Sequence, residues 1–222
     1  MIRRSCRYTG TIILAVLNAA VYTAMVAGAD VSPLYLQGSS PSVTAFITYM
    51  FTHTGLMHFA VNLAVIIFAG SLLERISSWT RLMVVYLCGG ISGGLLFCVA
   101  CKLTGVDGQT LTGASAAALA LCVAAMTWRG NIKRRFKSCP TAITGLVLGM
   151  IIVLWGLVAG NPGGSLAHLG GIAAGLLLSL LRVRRGEATD VRPVLDKALM
   201  SGYSSLSDNE RRVLVGNSIR KK

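Results

Sequence analysis

The chain has 222 residues, 54% of them hydrophobic and only 13% charged, with a mean hydropathy of +0.66. A soluble domain usually carries about 25% charged residues, so this composition excludes an ordinary soluble fold. A net charge of +13 would suggest nucleic acid in a soluble chain, but the placement of the charges argues against that partner.

The apolar residues fall into six runs, at 11–28, 56–73, 82–101, 113–128, 141–159 and 165–181. Each is near the roughly 20 residues that cross a hydrocarbon core, the fourth and sixth being short. The expectation is an all-α, polytopic membrane protein, a compact six-transmembrane-helix bundle. Its parts are a cytoplasmic N-terminus at 1–10, a membrane domain at 11–182 and a basic cytoplasmic tail at 183–222.

Arg3, Arg4 and Arg7 precede the first run. Its end, Ala27-Gly28-Ala29, is like a signal-peptide cleavage site. The stretch is long for such a segment, so a retained first helix is the reading taken. The segment from Ala29 to Gly55 carries a single charge, Asp30, with Pro33, Pro41 and a Gly38-Ser39-Ser40 turn cluster. Its Leu34, Tyr35, Leu36, Phe46, Tyr49 and Phe51 suit the membrane interface better than water. Such a loop could brace a site or meet a substrate helix.

Run two opens with His53, His58 and Asn62 nearby. His58 and Asn62, four apart, share one helix face. Polar groups are costly in lipid, so that face should point into the bundle. The Asn62 amide could donate to an oxyanion; equally, the pair could simply hold helices together. Arg75 and Arg81 follow the run. Run three holds Cys98 and Cys101, which read as small packing residues because no partner pair accompanies them. The six cysteines as a whole do not suggest a disulfide framework.

Run four opens with Gly113-Ala114-Ser115. Small residues beside a serine leave room for a substrate carbonyl, and the first N–H groups of a helix could bind an oxyanion. A serine at a helix start is more often a cap. A basic loop, Arg129 to Lys137, leads into run five. Run six carries His168, then Gly171 and Gly175. Four-residue spacing of small residues, also seen at Gly89/Gly93, Gly90/Gly94 and Gly145/Gly149, lets helix backbones approach closely in lipid. If span six meets span four, the His168 imidazole reaches Ser115 and can act as its base. A helix-packing hydrogen bonder is the plainer role for a lone histidine.

All but one of the 21 basic residues lie at the start of run one, after runs two and four, or in the tail; the exception is Lys102. This is the positive-inside pattern. It places both termini in the cytoplasm and the starts of runs two, four and six on the outer side. A weaker reading is attraction of the tail to anionic lipid. Within the tail, Ser207 and Glu210 have capping-box spacing, and Gly216 could end the short helix. Partial order and no catalytic role are expected there.

His58-Phe59-Ala60-Val61-Asn62, Gly113-Ala114-Ser115, and Ala167-His168 with Gly171 and Gly175 together resemble the rhomboid intramembrane serine proteases. His53 five residues before His58, and Glu74-Arg75 closing span two, are similar too. The resemblance covers roughly residues 11–182. It implies a six-helix bundle with a Ser115–His168 dyad below the outer surface, Ser115 as nucleophile and His168 as general base and then acid. Asn62, His58 and the Ser115 backbone N–H would line an oxyanion hole, with Gly113, Ala114 and His53 in support. The substrate would be a single-pass membrane protein, cut near its outer end. Two positions depart from the pattern: Ala116 stands where many members have glycine, and Leu119 where many bacterial members have tyrosine supporting the histidine.

No third acid for a triad is evident, since the outer side holds only Asp30 and Asp107, and a dyad is chemically sufficient. No metal, P-loop or dinucleotide motif appears, so no cofactor is expected; the partners expected are transmembrane substrates and the bilayer, not nucleic acid. The alternatives are an inactive rhomboid-like protein that binds membrane helices and a small transporter. Inactive relatives generally lack the serine or the histidine, and a transporter would show internal repeats or paired broken helices, which are not seen. The six-span plan suggests a bacterial inner-membrane protein.

Overall fold

A computed structural model describes residues 8–105, 108–127, 162–183, 192–211 and 214. The fifth run, with Gly145 and Gly149, and the basic loop before it lie outside the described residues, as do Cys6, Asp107, Cys139 and Gly216. Backbone contacts divide the chain into two units, residues 1–182 and 183–222.

In the first unit, α1 (Thr9–Val26) is followed by a segment holding strand β1 (Leu36–Gln37) and the short α2 (Ala45–Thr48). Then come α3 (Leu56–Ile76), α4 (Trp79–Thr104), strand β2 (Thr110–Leu111), α5 (Ser115–Thr127) and α6 (Pro162–Val183). Four of these, α1, α3, α4 and α6, are long and apolar enough to cross a membrane; α5 is apolar but shorter. Among the described residues, therefore, four candidate spans and one short apolar helix stand where five of the six expected runs lie.

α5 is the central helix. Every residue from Ala116 to Met126 is buried, six of them alanines. A helix apolar all round is a helix surrounded on all sides, and alanine lets its neighbours come close. Glycines supply the matching gaps. A Cβ on Gly89 would collide with the Ala120 methyl, and one on Gly93 would lie 2.6 Å from the Ala116 methyl, so α4 packs against α5 there. A Cβ on Gly171 would strike the Ala116 carbonyl, and one on Gly175 would lie 2.5 Å from the Ala120 carbonyl oxygen. Gly170 backs onto the Gly93 backbone of α4 in the same way. At the far end of α5, the Thr127 hydroxyl donates to Ser179 Oγ at 2.6 Å. The i, i+4 ladder of Gly171, Gly175 and Ser179 is thus the α6 edge that meets α5.

α1 is attached differently. The Glu74 carboxylate, near the C-terminal end of α3, accepts from the backbone N–H groups of Gly10 and Thr11, each at 3.0 Å. It also accepts from the Thr11 hydroxyl at 2.8 Å. A carboxylate at a helix start answers both its unpaired N–H groups and its dipole. At the opposite end of the same pair, Tyr22 stacks on Phe59 with ring centroids 4.1 Å apart.

The segment between α1 and α3 is buried more deeply than an interfacial loop requires. Leu36, Tyr49 and Met50 are fully or almost fully buried. The Met50 side chain fills the space left by Gly90, while the Tyr49 hydroxyl donates to the Gly90 carbonyl at 2.7 Å. Tyr86 donates to the Met50 carbonyl at 3.2 Å and accepts from Asn18. β1 pairs antiparallel with β2, Leu36 opposite Leu111 and Gln37 opposite Thr110. This clasp ties the segment to the chain that enters α5.

Among the described residues, Cys88, Cys98 and Cys101 form no disulfide. In the second unit, α7 (Arg192–Ser201) ends at Gly202, whose φ of +81° favours glycine. Ser207 and Glu210 bond reciprocally: the Ser207 N–H donates to the carboxylate at 2.8 Å, and the Glu210 N–H donates to Ser207 Oγ at 3.4 Å.

Candidate active site

The site begins in the turn that leads into α5. Gly113 has φ +101°, a conformation other residues rarely adopt. A Cβ there would also lie 2.5 Å from Cε1 and 2.6 Å from Nε2 of His58. Glycine is thus needed twice, for the turn and for the ring beside it. The Gly113 N–H donates to the Tyr49 carbonyl at 3.0 Å, so the buried loop fixes the height of the turn. The next N–H, of Ala114, points to Nε2 of His53 at a long 3.5 Å. Burial, helped by the neighbouring His58, pulls the His53 imidazole down to about 4. It is therefore neutral near pH 7, as an acceptor must be.

Ser115 follows as the first residue of α5, and its Oγ lies 2.7 Å from Nε2 of His168 on α6. For Nε2 to accept the serine proton, the imidazole must carry its own proton on Nδ1. That Nδ1 is buried and has no hydrogen-bond partner among the described residues. The carboxylate of Asp30 is turned to Ser32 in its own loop, whose hydroxyl and N–H together hold its pKa below the usual value. The arrangement is a pair, with no acid behind the histidine among the described residues.

The partners of Ser115 and His168 follow from the helix packing. His168 and Gly171 are three residues apart and share a face of α6. Gly171 sits on the carbonyl of Ala116, the residue after Ser115. The contact that sets the α5–α6 separation is therefore one helical turn from the 2.7 Å hydrogen bond. The methyl of Ala116 itself faces Gly93 of α4. Leu119, one turn after Ser115, is buried within α5.

His58 and Asn62 lie together on α3, with the His58 ring edge-on to His53 at 5.2 Å between centroids. The Asn62 amide donates to the His58 carbonyl at 2.7 Å, a bond inside its own helix. One of its two N–H groups is thereby engaged and the second is left for another acceptor. The structure thus brings Ser115, His168, Gly113, Ala114, His53 and His58 into one continuous set of contacts, while Asn62 joins through the backbone of His58. Sequence reasoning placed Tyr49 only in a loop that could brace a site, and its carbonyl is what anchors the Gly113 turn. An uncharged loop with a tyrosine just before the paired histidines was the available hint.

These features define a multi-pass helical membrane protein with a hydrogen-bonded serine–histidine pair between two of its helices. A family model of the rhomboid domain matches residues 40–185, well over half of the chain, and the chain belongs to the rhomboid family. It is 28% identical to rhomboid-related protein 3 of Homo sapiens over 172 residues, covering 70% of this chain and 42% of that protein. It is 31% identical to rhomboid-type serine protease 2 of Emericella nidulans over 147 residues, covering 64% of this chain and 27% of that one. RHOMBOID-like protein 7 of Arabidopsis thaliana is 26% identical over 141 residues, 63% of this chain and 42% of that protein. The chain spans less than half the length of these curated relatives. A bacterial origin is not borne out by them, since all three come from eukaryotes.

Proposed function

We propose that this protein is an intramembrane serine endopeptidase that cuts single-pass membrane proteins. The observation that carries the reading is the 2.7 Å Ser115–His168 hydrogen bond inside an apolar bundle. A serine hydroxyl is a weak nucleophile until a base accepts its proton, and here the base is already in place. In the first step Ser115 Oγ attacks the scissile carbonyl carbon while its proton passes to His168 Nε2. The tetrahedral oxyanion is held by the Ser115 N–H, with His58 and the free Asn62 N–H as further donors. As the C–N bond breaks, His168 returns the proton to the leaving amine. Water then attacks the acyl-serine by the same route and frees the new carboxyl terminus.

The basic residues support an orientation with both termini cytoplasmic and Ser115 toward the outer side. Cleavage near the outer end of the substrate span follows from that orientation. The name of the Emericella nidulans relative favours the same activity.

The test is cleavage of a single-span substrate in liposomes by the wild type, Ser115→Ala, His168→Ala and the double variant. The reading expects both single variants to lose turnover almost completely and the double variant to be no worse, because the two groups act as one unit. Turnover retained by Ser115→Ala would remove it as nucleophile. Absence of turnover in the wild type on every span offered would favour a helix-binding, non-cutting relative.

A further inference from the structure

The second unit carries an apolar stripe that the proteolytic reading does not use. In α7, Leu195 and Leu199 are four residues apart and share a face; they are 49% and 78% exposed. Met200 and Tyr203 extend the exposed apolar surface just beyond, at 87% and 57%. On the other side of the helix, Lys197 is two residues from each leucine, about 200° around the axis. Its ammonium is bound to the Glu210 carboxylate at 3.0 and 3.1 Å. The polar face is therefore occupied within the tail, and the leucine face is left exposed among the described residues.

The charges around α7 select an occupant. Arg184 and Arg185 lie between it and the end of α6, Arg192 opens it, and Arg212, Arg220, Lys221 and Lys222 follow it, more cations than the Glu187, Asp190, Asp196 and Asp208 carboxylates of the same segment. Only residues 184–191 join α6 to α7 in the sequence, so a leaflet surface at the end of α6 is within reach by chain length alone. We propose that α7 lies on the membrane surface, with Leu195 and Leu199 in the acyl boundary and the flanking cations on anionic headgroups. An amphipathic helix with cations and aliphatic side chains has this mode of binding. Cytoplasmic leaflets supply the anionic lipid, so the biological setting rests on the proposed orientation of the chain. The physical test does not, since both leaflets of a nanodisc have the same lipid.

The experiment is hydrogen exchange over residues 194–206 of the full chain. It is measured in detergent, in phosphatidylcholine nanodiscs, and in nanodiscs containing phosphatidylglycerol. Exchange should slow by about tenfold on adding phosphatidylglycerol, and the slowing should weaken with salt. Leu195→Gln with Leu199→Gln should abolish the lipid-dependent slowing while leaving the exchange seen in detergent unchanged. If that variant exchanges faster in detergent too, the wild-type lipid comparison decides by itself. Equal protection in all three media would mean that the stripe is covered by the chain itself. Protection that rises with protein density would mean a second copy. No protection anywhere would mean no docking. Each of these three results overturns the proposal.

Discussion

The bundle is joined by two kinds of contact, and only one of them lies beside the Ser115–His168 pair. α5 and α6 meet where side chains are missing, Gly171 on Ala116 and Gly175 on Ala120. α1 and α3 meet through groups that are present, the Glu74 carboxylate on the first N–H groups of α1 and the Tyr22–Phe59 stack. The first contact has no slack, because a backbone carbonyl lies where any side chain would go. The Glu74 part of the second is polar and lies at the end of α3 away from the Tyr22–Phe59 stack, so it can loosen without moving Ser115. The difference teaches that separation between helix axes, rather than total stability, sets the serine–histidine distance.

That contrast can be broken most sharply at Gly171. Gly171→Ala adds one methyl, and alanine favours a helix, so the variant should keep α6 and push it off Ala116. A shift near 1 Å can cost about 10²-fold in rate. We expect at least that loss of substrate turnover, with circular dichroism unchanged. Near-normal turnover would show that the bundle adjusts elsewhere and that the contact does not set the dyad.

The oxyanion side should be less sensitive. Asn62→Ala should lower turnover by about 10²-fold or less, because His58 and the Ser115 N–H share the load. Full turnover would leave Asn62 with only its bond to the His58 carbonyl.

At the α1 clamp the effect should move from rate to stability. Glu74→Gln keeps the shape but turns an NH2 group toward one of the α1 donors. Leaving a buried donor unpaired costs about 1–3 kcal/mol. Thermal unfolding should fall accordingly, with turnover at low temperature changed less than by Gly171→Ala. A larger rate loss than Gly171→Ala would reverse the assignment of the two contacts.

The smallest effect lies in the tail. The Ser207 N–H, the Lys197 ammonium and the Ser207 hydroxyl lower the Glu210 carboxyl from 4.5 to about 2. A depressed carboxyl contributes stability above its unfolded value and loses it as pH falls, here between about 4.5 and about 2. The Glu210 carboxyl carbon shift should titrate in the low part of that window. Titration at the ordinary value would show that the Lys197 and Ser207 contacts do not persist in solution.

The sequence carried the four candidate spans and the short apolar α5, because blocked hydropathy is a long-range signal. The identities of Ser115 and His168 came from their place at the starts of runs four and six, but not the distance between them. That distance depends on Gly93, Ala116 and Gly171 meeting across three helices, and no single helix pattern contains it. The departure at Ala116 has a local account, since its methyl occupies the space beside Gly93. The Leu119 departure leaves a buried aliphatic side chain one turn from Ser115. The Glu74 clamp was hidden for another reason. Its donors are backbone groups of α1, which sequence does not distinguish from any other N–H.

The most direct measurement is labelling with a fluorophosphonate, read by mass spectrometry at the modified residue. The account predicts a single adduct on Ser115 in the wild type and none in Ser115→Ala. It predicts at most slow labelling in His168→Ala, where the hydroxyl has no base. An adduct on another residue, or undiminished labelling of His168→Ala, would contradict the claim that this pair is the working nucleophile and base.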